Sequence, residues 1–223
     1  DKDVNSERTY FSNVIFEDDT EDDRPHFELA INLYEVVYNQ ITNFLNAYVN
    51  PMRVVRDEEI AKYMTRYNLS YNPTNEILVT VGASEGVDAV LRAILNPGDE
   101  IIVVQPCYVN YAPLAELCQA KVIPLDSSIN GYYPTAEQIK NAITPKTKAI
   151  MLCSPNNPTG TMIPASELEK IAKVVVENEI WCISDEIYCE LAYDGAKHTS
   201  IGSFEGMKDF AIILNGFSKS FAM

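Results

Sequence analysis

The sequence has few of the residues that build metal sites and disulfide frameworks. Its 223 residues include two histidines, His26 and His198, and neither stands at a metal-binding spacing from a cysteine or a carboxylate. A structural zinc site is therefore not expected. The five cysteines are odd in number and form no Cys-x-x-Cys pair. We interpret them as reduced, small apolar residues.

Long apolar runs and positive charge are also scarce. No run approaches the ~20 residues that span a bilayer, and the first residues, Asp1-Lys2-Asp3, lack the basic-then-apolar order of a signal peptide. The formal net charge is -15, so we expect no nucleic-acid partner and no membrane partner. The hydrophobic content of 47% is typical of a soluble globular protein, and we expect it to be cytoplasmic.

Residues 1–50 differ in pattern from the rest of the chain. An acidic run covers residues 17–23, and apolar residues recur at steps of three and four through residues 27–48. This spacing predicts a long amphipathic helix, which Asn50-Pro51 should end. We assign residues 1–50 to an acidic N-terminal segment and residues 51–223 to a separate domain.

The remaining chain alternates between helical and strand-like segments. The pattern predicts helices near residues 55–67, 84–95, 111–119, 135–142 and 166–177, and strands near 77–81, 100–104, 121–125, 149–153, 180–184 and 210–214. Short apolar runs separated by helices predict an α/β domain with a mostly parallel sheet flanked by helices. Functional residues in such sheets collect at the carboxyl ends of the strands.

Four short motifs follow predicted strands and carry the polar residues of interest. Gly82-Ala83-Ser84 can face an anion at a helix N-terminus, or it can be a simple turn with Ser84 as the cap. Asn157 can belong to an ordinary turn, Asp185 can cap the next segment, and Lys219 can be a surface charge. Taken alone, each motif can be explained as an ordinary structural feature without a functional role.

In order and spacing, these motifs resemble the large domain of the class I/II aminotransferases, which are fold type I enzymes that use pyridoxal 5'-phosphate (PLP). The quoted segments are Val81-Gly82-Ala83-Ser84-Glu85-Gly86, Ser154-Pro155-Asn156-Asn157-Pro158-Thr159-Gly160, Ser184-Asp185-Glu186-Ile187-Tyr188 and Ser218-Lys219-Ser220-Phe221-Ala222. The resemblance covers about residues 55–223. It implies an enzyme that transfers an amino group between an amino acid and a 2-oxo acid.

The resemblance also implies roles for individual residues. Lys219 forms the Schiff base with the cofactor aldehyde and serves as the general base for the substrate α-proton. Asp185 keeps the pyridine nitrogen protonated, while Asn157 and Tyr188 donate hydrogen bonds to the phenolic oxygen.

Further positions match parts of the family that bind the cofactor's phosphate and ring. Ala83 and Ser84 correspond to the phosphate-binding loop, Tyr108 to the aromatic residue that stacks on the pyridine ring, and Ser218 to a residue that assists at the phosphate. The family also implies a homodimer for the full-length parent. The neighbouring Glu186 and Glu190 are expected to be surface or structural residues.

The chain departs from the family after Lys219. It ends at Met223, before the arginines that relatives place downstream for the phosphate and for the substrate carboxylate. We therefore expect a large domain that is incomplete at its C-terminus. A PLP-dependent carbon-sulfur lyase and an aminocyclopropane carboxylate synthase would carry the same residues, and a non-catalytic fragment is a further alternative.

Overall fold

A parallel sheet forms the centre of the domain. The computed structural model describes residues 50–222, with side chains from residue 56 onward. The strands lie in the order β2-β1-β3-β4-β5, and every neighbouring pair is parallel. They are β1 (Glu100–Gln105), β2 (Lys121–Asp126), β3 (Thr147–Cys153), β4 (Trp181–Asp185) and β5 (Ala211–Leu214). This arrangement confirms the predicted α/β fold.

Within the described residues, α-helices separate β1 from β2, β2 from β3 and β3 from β4, whereas only 3-10 turns lie between β4 and β5. The α-helices are α1 (Asn50–Met64), α2 (Gly82–Ile94), α3 (Tyr111–Leu117), α4 (Ala136–Ala142), α5 (Ala165–Glu177) and α6 (Phe217–Ser220). Short 3-10 turns cover Thr65–Tyr67, Ser128–Asn130, Ile201–Ser203 and Met207–Asp209. Most of these bounds lie within two residues of the sequence prediction.

Both faces of the sheet are buried. On β3, Ile150 and Leu152 pack into one apolar cluster with residues of α4 and α5. Ala149 and Met151 pack into a second cluster with residues of α2 and α3. Successive side chains of a strand point to opposite faces, so a sheet covered on both sides requires apolar residues at every position.

The predicted strand at residues 77–81 is wrong, because this segment has no strand structure and pairs with none of the described strands. Leu78 and Val81 are 77% and 90% exposed. The apolar, β-branched composition that predicted a strand is necessary for one, but a strand also needs a hydrogen-bonding neighbour.

The described part of α1 begins at Asn50 and includes Pro51, so the prediction that Asn50-Pro51 ends a preceding helix is not tested within the described residues. The predicted amphipathic helix at residues 27–48 lies outside the described residues.

The chain divides into two compact units, Asp1–Arg56 and Asp57–Met223. The expected boundary after residue 50 stays a prediction. Within the described residues, none of the helices is long and apolar enough to cross a membrane. All four site motifs lie in the second unit.

Candidate active site

The carboxyl ends of β3, β4 and β5 lie together at one end of the sheet, which we call its carboxyl edge. The predicted site motifs lie there. Asp185, the last residue of β4, is in register with Cys153 on one side and Leu214 on the other. The backbone pairing continues past the strands, because the N–H of Ser154 donates to the carbonyl of Asp185 at 3.1 Å and that of Glu186 to the carbonyl of Leu214 at 2.8 Å. Three motifs therefore start side by side.

Asp185 is a nearly buried carboxylate at the centre of this edge, with 5% of its surface exposed. Its Oδ2 accepts the hydroxyl of Tyr111 at 2.6 Å, and its Oδ1 accepts the N–H of Ile187 at 3.1 Å. Burial raises the pKa of Asp185, and the two hydrogen bonds only partly oppose this. The charge of Glu186 raises the pKa further, whereas the positive charge of Lys219 lowers it.

Tyr111 is a site residue that sequence reasoning missed. It begins α3 and is 2% exposed. Burial, followed by the charge of Asp185, raises the pKa of Tyr111, so its hydroxyl stays protonated and donates. Its ring also packs edge-on against Tyr108, with centroids 5.6 Å apart. The available signal was its position three residues after Tyr108, in the segment that leads into α3.

Asn157 and Tyr188, which the family resemblance assigns to the same oxygen atom of the cofactor, are in direct contact. The Nδ2 of Asn157 donates to the Tyr188 hydroxyl at 3.3 Å. The adjacent Asn156 is buried and holds the loop, donating from Nδ2 to the carbonyl of Pro106 at 3.0 Å and to the hydroxyl of Thr159 at 2.9 Å. Asn157 is thus held at the edge while its amide stays half-buried.

The segment Gly82-Ala83-Ser84 forms the first turn of α2 rather than a loop before it. Gly82 has φ +78°, a backbone conformation that favours glycine. The helix has no side-chain cap, so the alternative of Ser84 as a capping residue is not observed. The first N–H groups of a helix have no intrahelical partner and attract anions. A Cβ on Gly86 would lie 3.2 Å from Leu214, so this helix start lies close to the end of β5.

Lys219 and Ser218 lie in the one-turn helix α6, which begins three residues after β5 ends. Both are exposed. The Oγ of Ser220, in the same turn, is buried and has no hydrogen-bond partner among the described residues. The hydrogen bonds of the described residues do not connect Lys219, Ser218, Ala83 or Ser84 to the Asp185 and Asn157 groups.

The donors and acceptors of this edge suit PLP. The ion pairs of residues 57–222 do not include Asp185, so this desolvated carboxylate can take a charged N–H partner such as a pyridinium. The Asn157 and Tyr188 pair offers donors for an anionic oxygen, and the start of α2 suits a phosphate. The fold and the site together define a class: an α/β domain with a polar ligand site at the carboxyl edge of its parallel sheet.

Comparison with known proteins identifies the family. Residues 41–223 match the family described as aminotransferase class I and II. The chain belongs to this family, whose members depend on PLP. The match begins at residue 41, ahead of the resemblance that the motifs alone support from about residue 55.

Individual relatives agree with this assignment. The aspartate aminotransferase of Bacillus sp. (strain YM-2) is 38% identical over 203 residues, which cover 89% of this chain and 52% of the relative. The arginine-pyruvate transaminase of Pseudomonas aeruginosa is 42% identical over 149 residues, 66% of this chain and 38% of the relative. The crystal structure of an aromatic aminotransferase from Pyrococcus horikoshii OT3 superposes with a TM-score of 0.74 at 36% identity, covering 76% of this chain and 46% of that one. The chain spans about half the length, or less, of these relatives.

Proposed function

We propose that this protein binds PLP at the carboxyl edge of its sheet and takes part in the transfer of an amino group between an amino acid and a 2-oxo acid. The observation that carries the proposal is the buried Asp185 carboxylate, which lies at the edge beside the Asn157 and Tyr188 pair. When bound, PLP supplies an electron sink for the substrate's α-carbon.

Asp185 provides the negative charge opposite the pyridine nitrogen. Tyr111 and the N–H of Ile187 each occupy one of its oxygens, which fixes the plane of the carboxylate. Because Asp185 is buried, its charge acts with little screening by water. Asn157 and Tyr188 donate to the phenolic oxygen, and their mutual hydrogen bond aligns the two side chains.

The other residues hold the phosphate and the ring. Ala83 and Ser84 present backbone N–H groups at the start of α2, and the hydroxyl groups of Ser84 and Ser218 add donors. Tyr108 orients the ring by stacking, and its own ring is braced by Tyr111.

Lys219 is the covalent attachment point in this proposal. Its amine also takes up and returns the proton at the substrate's α-carbon. Its position two residues past the start of α6 puts it at the same edge as Asp185, whose pKa its charge lowers.

The substrates are proposed by class. By their names, the three relatives act on aspartate, on arginine with pyruvate, and on aromatic amino acids. We therefore propose an amino acid and a 2-oxo acid without naming one. Because these relatives are all transaminases, amino-group transfer is favoured over elimination or ring closure. A cytoplasmic homodimer, and the division into an N-terminal segment of residues 1–50 and a cofactor domain of residues 51–223, belong to the same proposal.

The attachment point can be tested by chemical labelling. The 223-residue chain is incubated with PLP and reduced with borohydride, and the pyridoxyl label is located by peptide mass spectrometry. We expect the label on Lys219, its loss in Lys219→Ala, and its retention in the control Lys140→Ala, which changes an exposed lysine of α4. Equal labelling of another lysine would contradict the assignment.

The reaction class can be tested with the same preparation. A panel of amino acids is added to the PLP-loaded chain, and the products are measured. Formation of the corresponding 2-oxo acid together with the aminated cofactor supports transfer. Release of ammonia with pyruvate would instead indicate elimination.

A further inference from the structure

A second buried carboxylate follows Asp185 immediately in the chain. Glu186 is 1% exposed, which excludes the expectation of a surface residue and leaves the structural one. Its Oε1 accepts the hydroxyls of Ser184 at 3.0 Å and Ser200 at 2.8 Å. Its Oε2 lies 3.0 Å from the Nε2 of His198, whose side chain is 2% exposed. Three protein groups therefore bind this carboxylate.

These contacts close the loop that carries Tyr188. The loop begins after Asp185, at the end of β4, and its far end, at His198 and Ser200, lies next to Glu186. Glu186 therefore joins the two ends of this loop. The Ser200 hydroxyl also accepts the N–H of Gly202 at 3.3 Å, which starts the 3-10 turn Ile201–Ser203. Glu186 thus connects the end of a strand to the start of the next ordered turn.

A second carboxylate anchors the same loop to the end of α1. The Oε1 of Glu190 accepts the hydroxyls of Tyr63 and Tyr67, each at 2.8 Å, and pairs with Arg66 at 2.8 Å. The ring of Tyr67 also lies edge-on to His198, with centroids 5.3 Å apart. Tyr67 therefore contacts Glu190 directly and also contacts His198, the partner of Glu186.

We infer that Glu186 is a positioning residue, an inference that rests on the proposed function. Through its contacts with His198 and Ser200, Glu186 fixes the backbone at the end of β4. This backbone orients the side chains of Asp185 and Tyr188 toward the cofactor. Asp185 and Glu186 are consecutive, so a backbone rotation that moves one side chain moves the other. A misplacement of about 1 Å in a catalytic constellation is enough to cost about 100-fold in rate. A buried carboxyl group with three hydrogen-bond partners resists such movement, because breaking any contact leaves a desolvated polar group unpaired.

The test uses two variants that loosen the anchor in different ways. Glu186→Gln removes the charge, and Ser200→Ala removes one hydrogen bond while the charge of Glu186 remains. Ser203→Ala is the matched control for the second variant, because its hydroxyl donates to the Ser200 carbonyl at 2.7 Å in the same turn without touching Glu186. Glu167→Gln is the control for the first, since Glu167 accepts the N–H of Ala136 on another part of the domain.

The first readout is hydrogen exchange of the cofactor-free chain. The amides of Glu186 and Ile187 are bonded to Leu214 and Asp185. We expect their exchange to accelerate about tenfold or more in Glu186→Gln and measurably in Ser200→Ala, with wild-type rates in both controls.

The second readout is the pH titration of the visible absorption of PLP bound at Lys219. In Ser200→Ala a shift of the midpoint, expected at about half a pH unit or more, reflects position alone because no charge has changed. If Ser200→Ala leaves both the amide exchange rates and the midpoint of the PLP titration unchanged, the inference is overturned, regardless of the result for Glu186→Gln. Failure of the wild-type chain to label at Lys219 would overturn the proposed function instead, and the exchange measurement would still decide whether Glu186 anchors the segment.

Discussion

Replacing Tyr111 with phenylalanine removes the hydroxyl that donates to Asp185 at 2.6 Å and leaves the ring in place. Both residues are buried, at 2% and 5% exposure, so water does not substitute readily for the lost donor. A hydrogen bond to a charged acceptor contributes about 1.5–3 kcal/mol. Because this hydrogen bond favours the charged carboxylate, its loss should raise further the pKa of Asp185, which burial already raises.

The effect on stability depends on pH in a defined direction. The pKa of Asp185 is higher in the folded chain than in the unfolded chain, so the folded state binds the proton more tightly. This group therefore stabilises the fold below its unfolded pKa, and the contribution is lost as the pH rises through the folded pKa. Tyr111→Phe extends to higher pH the range over which protonated Asp185 stabilises the fold. We expect the variant to be less stable than wild type by about 1.5–3 kcal/mol at neutral pH, and by about 1 kcal/mol where the carboxyl group is protonated in both proteins.

Urea unfolding of the two proteins between pH 4 and pH 8 measures this difference. Comparing them at each pH cancels the contributions of the other titrating groups. Tyr63→Phe is a matched control, because Glu190 keeps Tyr67 and Arg66 as partners. Burial alone would raise the pKa of Glu190, but hydrogen bonds from both tyrosines lower it overall. The stability difference between Tyr63→Phe and wild type should therefore be nearly constant above pH 4. A pH-independent difference for Tyr111→Phe would refute the reasoning.

Two further predictions concern the same edge of the sheet. Asp185→Asn should still label at Lys219 but slow the single-turnover half-reaction with an amino acid on the order of 10³-fold, because the charge opposite the pyridine nitrogen is lost; a near-normal rate by stopped-flow absorption would contradict this role. Gly82→Ala should lower the unfolding free energy by about 1–2 kcal/mol, since φ is +78° there and no atom lies within 4 Å of the added Cβ; unchanged urea unfolding would contradict this backbone conformation.

The sequence predicted most of this fold because the sheet is buried on both faces. Strands such as β1 and β3 place apolar residues in two separate clusters, one on each face of the sheet. In the sequence they therefore form continuous apolar runs flanked by amphipathic helices. Residues 77–81 read the same way and yet form no strand. A local pattern reports which residues suit a pleated, buried surface, and it contains no information on whether a neighbouring strand is available.

The motifs at the strand ends were also readable from the sequence, since each follows an apolar run. The interactions that complete the site were not. Tyr111 and Asp185 are 74 positions apart, and Tyr63 and Glu190 are 127 apart. Such pairs form because the order of strands in the sheet brings distant segments together, and one sequence does not state that order.

Asp185 and Glu186 show how the surroundings separate two acids that are adjacent in sequence. Alternation along the chain directs them to opposite faces of the sheet. Glu186 meets two hydroxyls and an imidazole, which use the acceptor capacity of both oxygens within the protein. Asp185 meets one hydroxyl and one backbone N–H, and no cation of residues 57–222 is paired with it. A buried carboxylate without a cation is unfavourable in the absence of a ligand, and this cost is recovered when a charged N–H binds. Glu186 is thereby suited to hold the chain and Asp185 to bind the ligand.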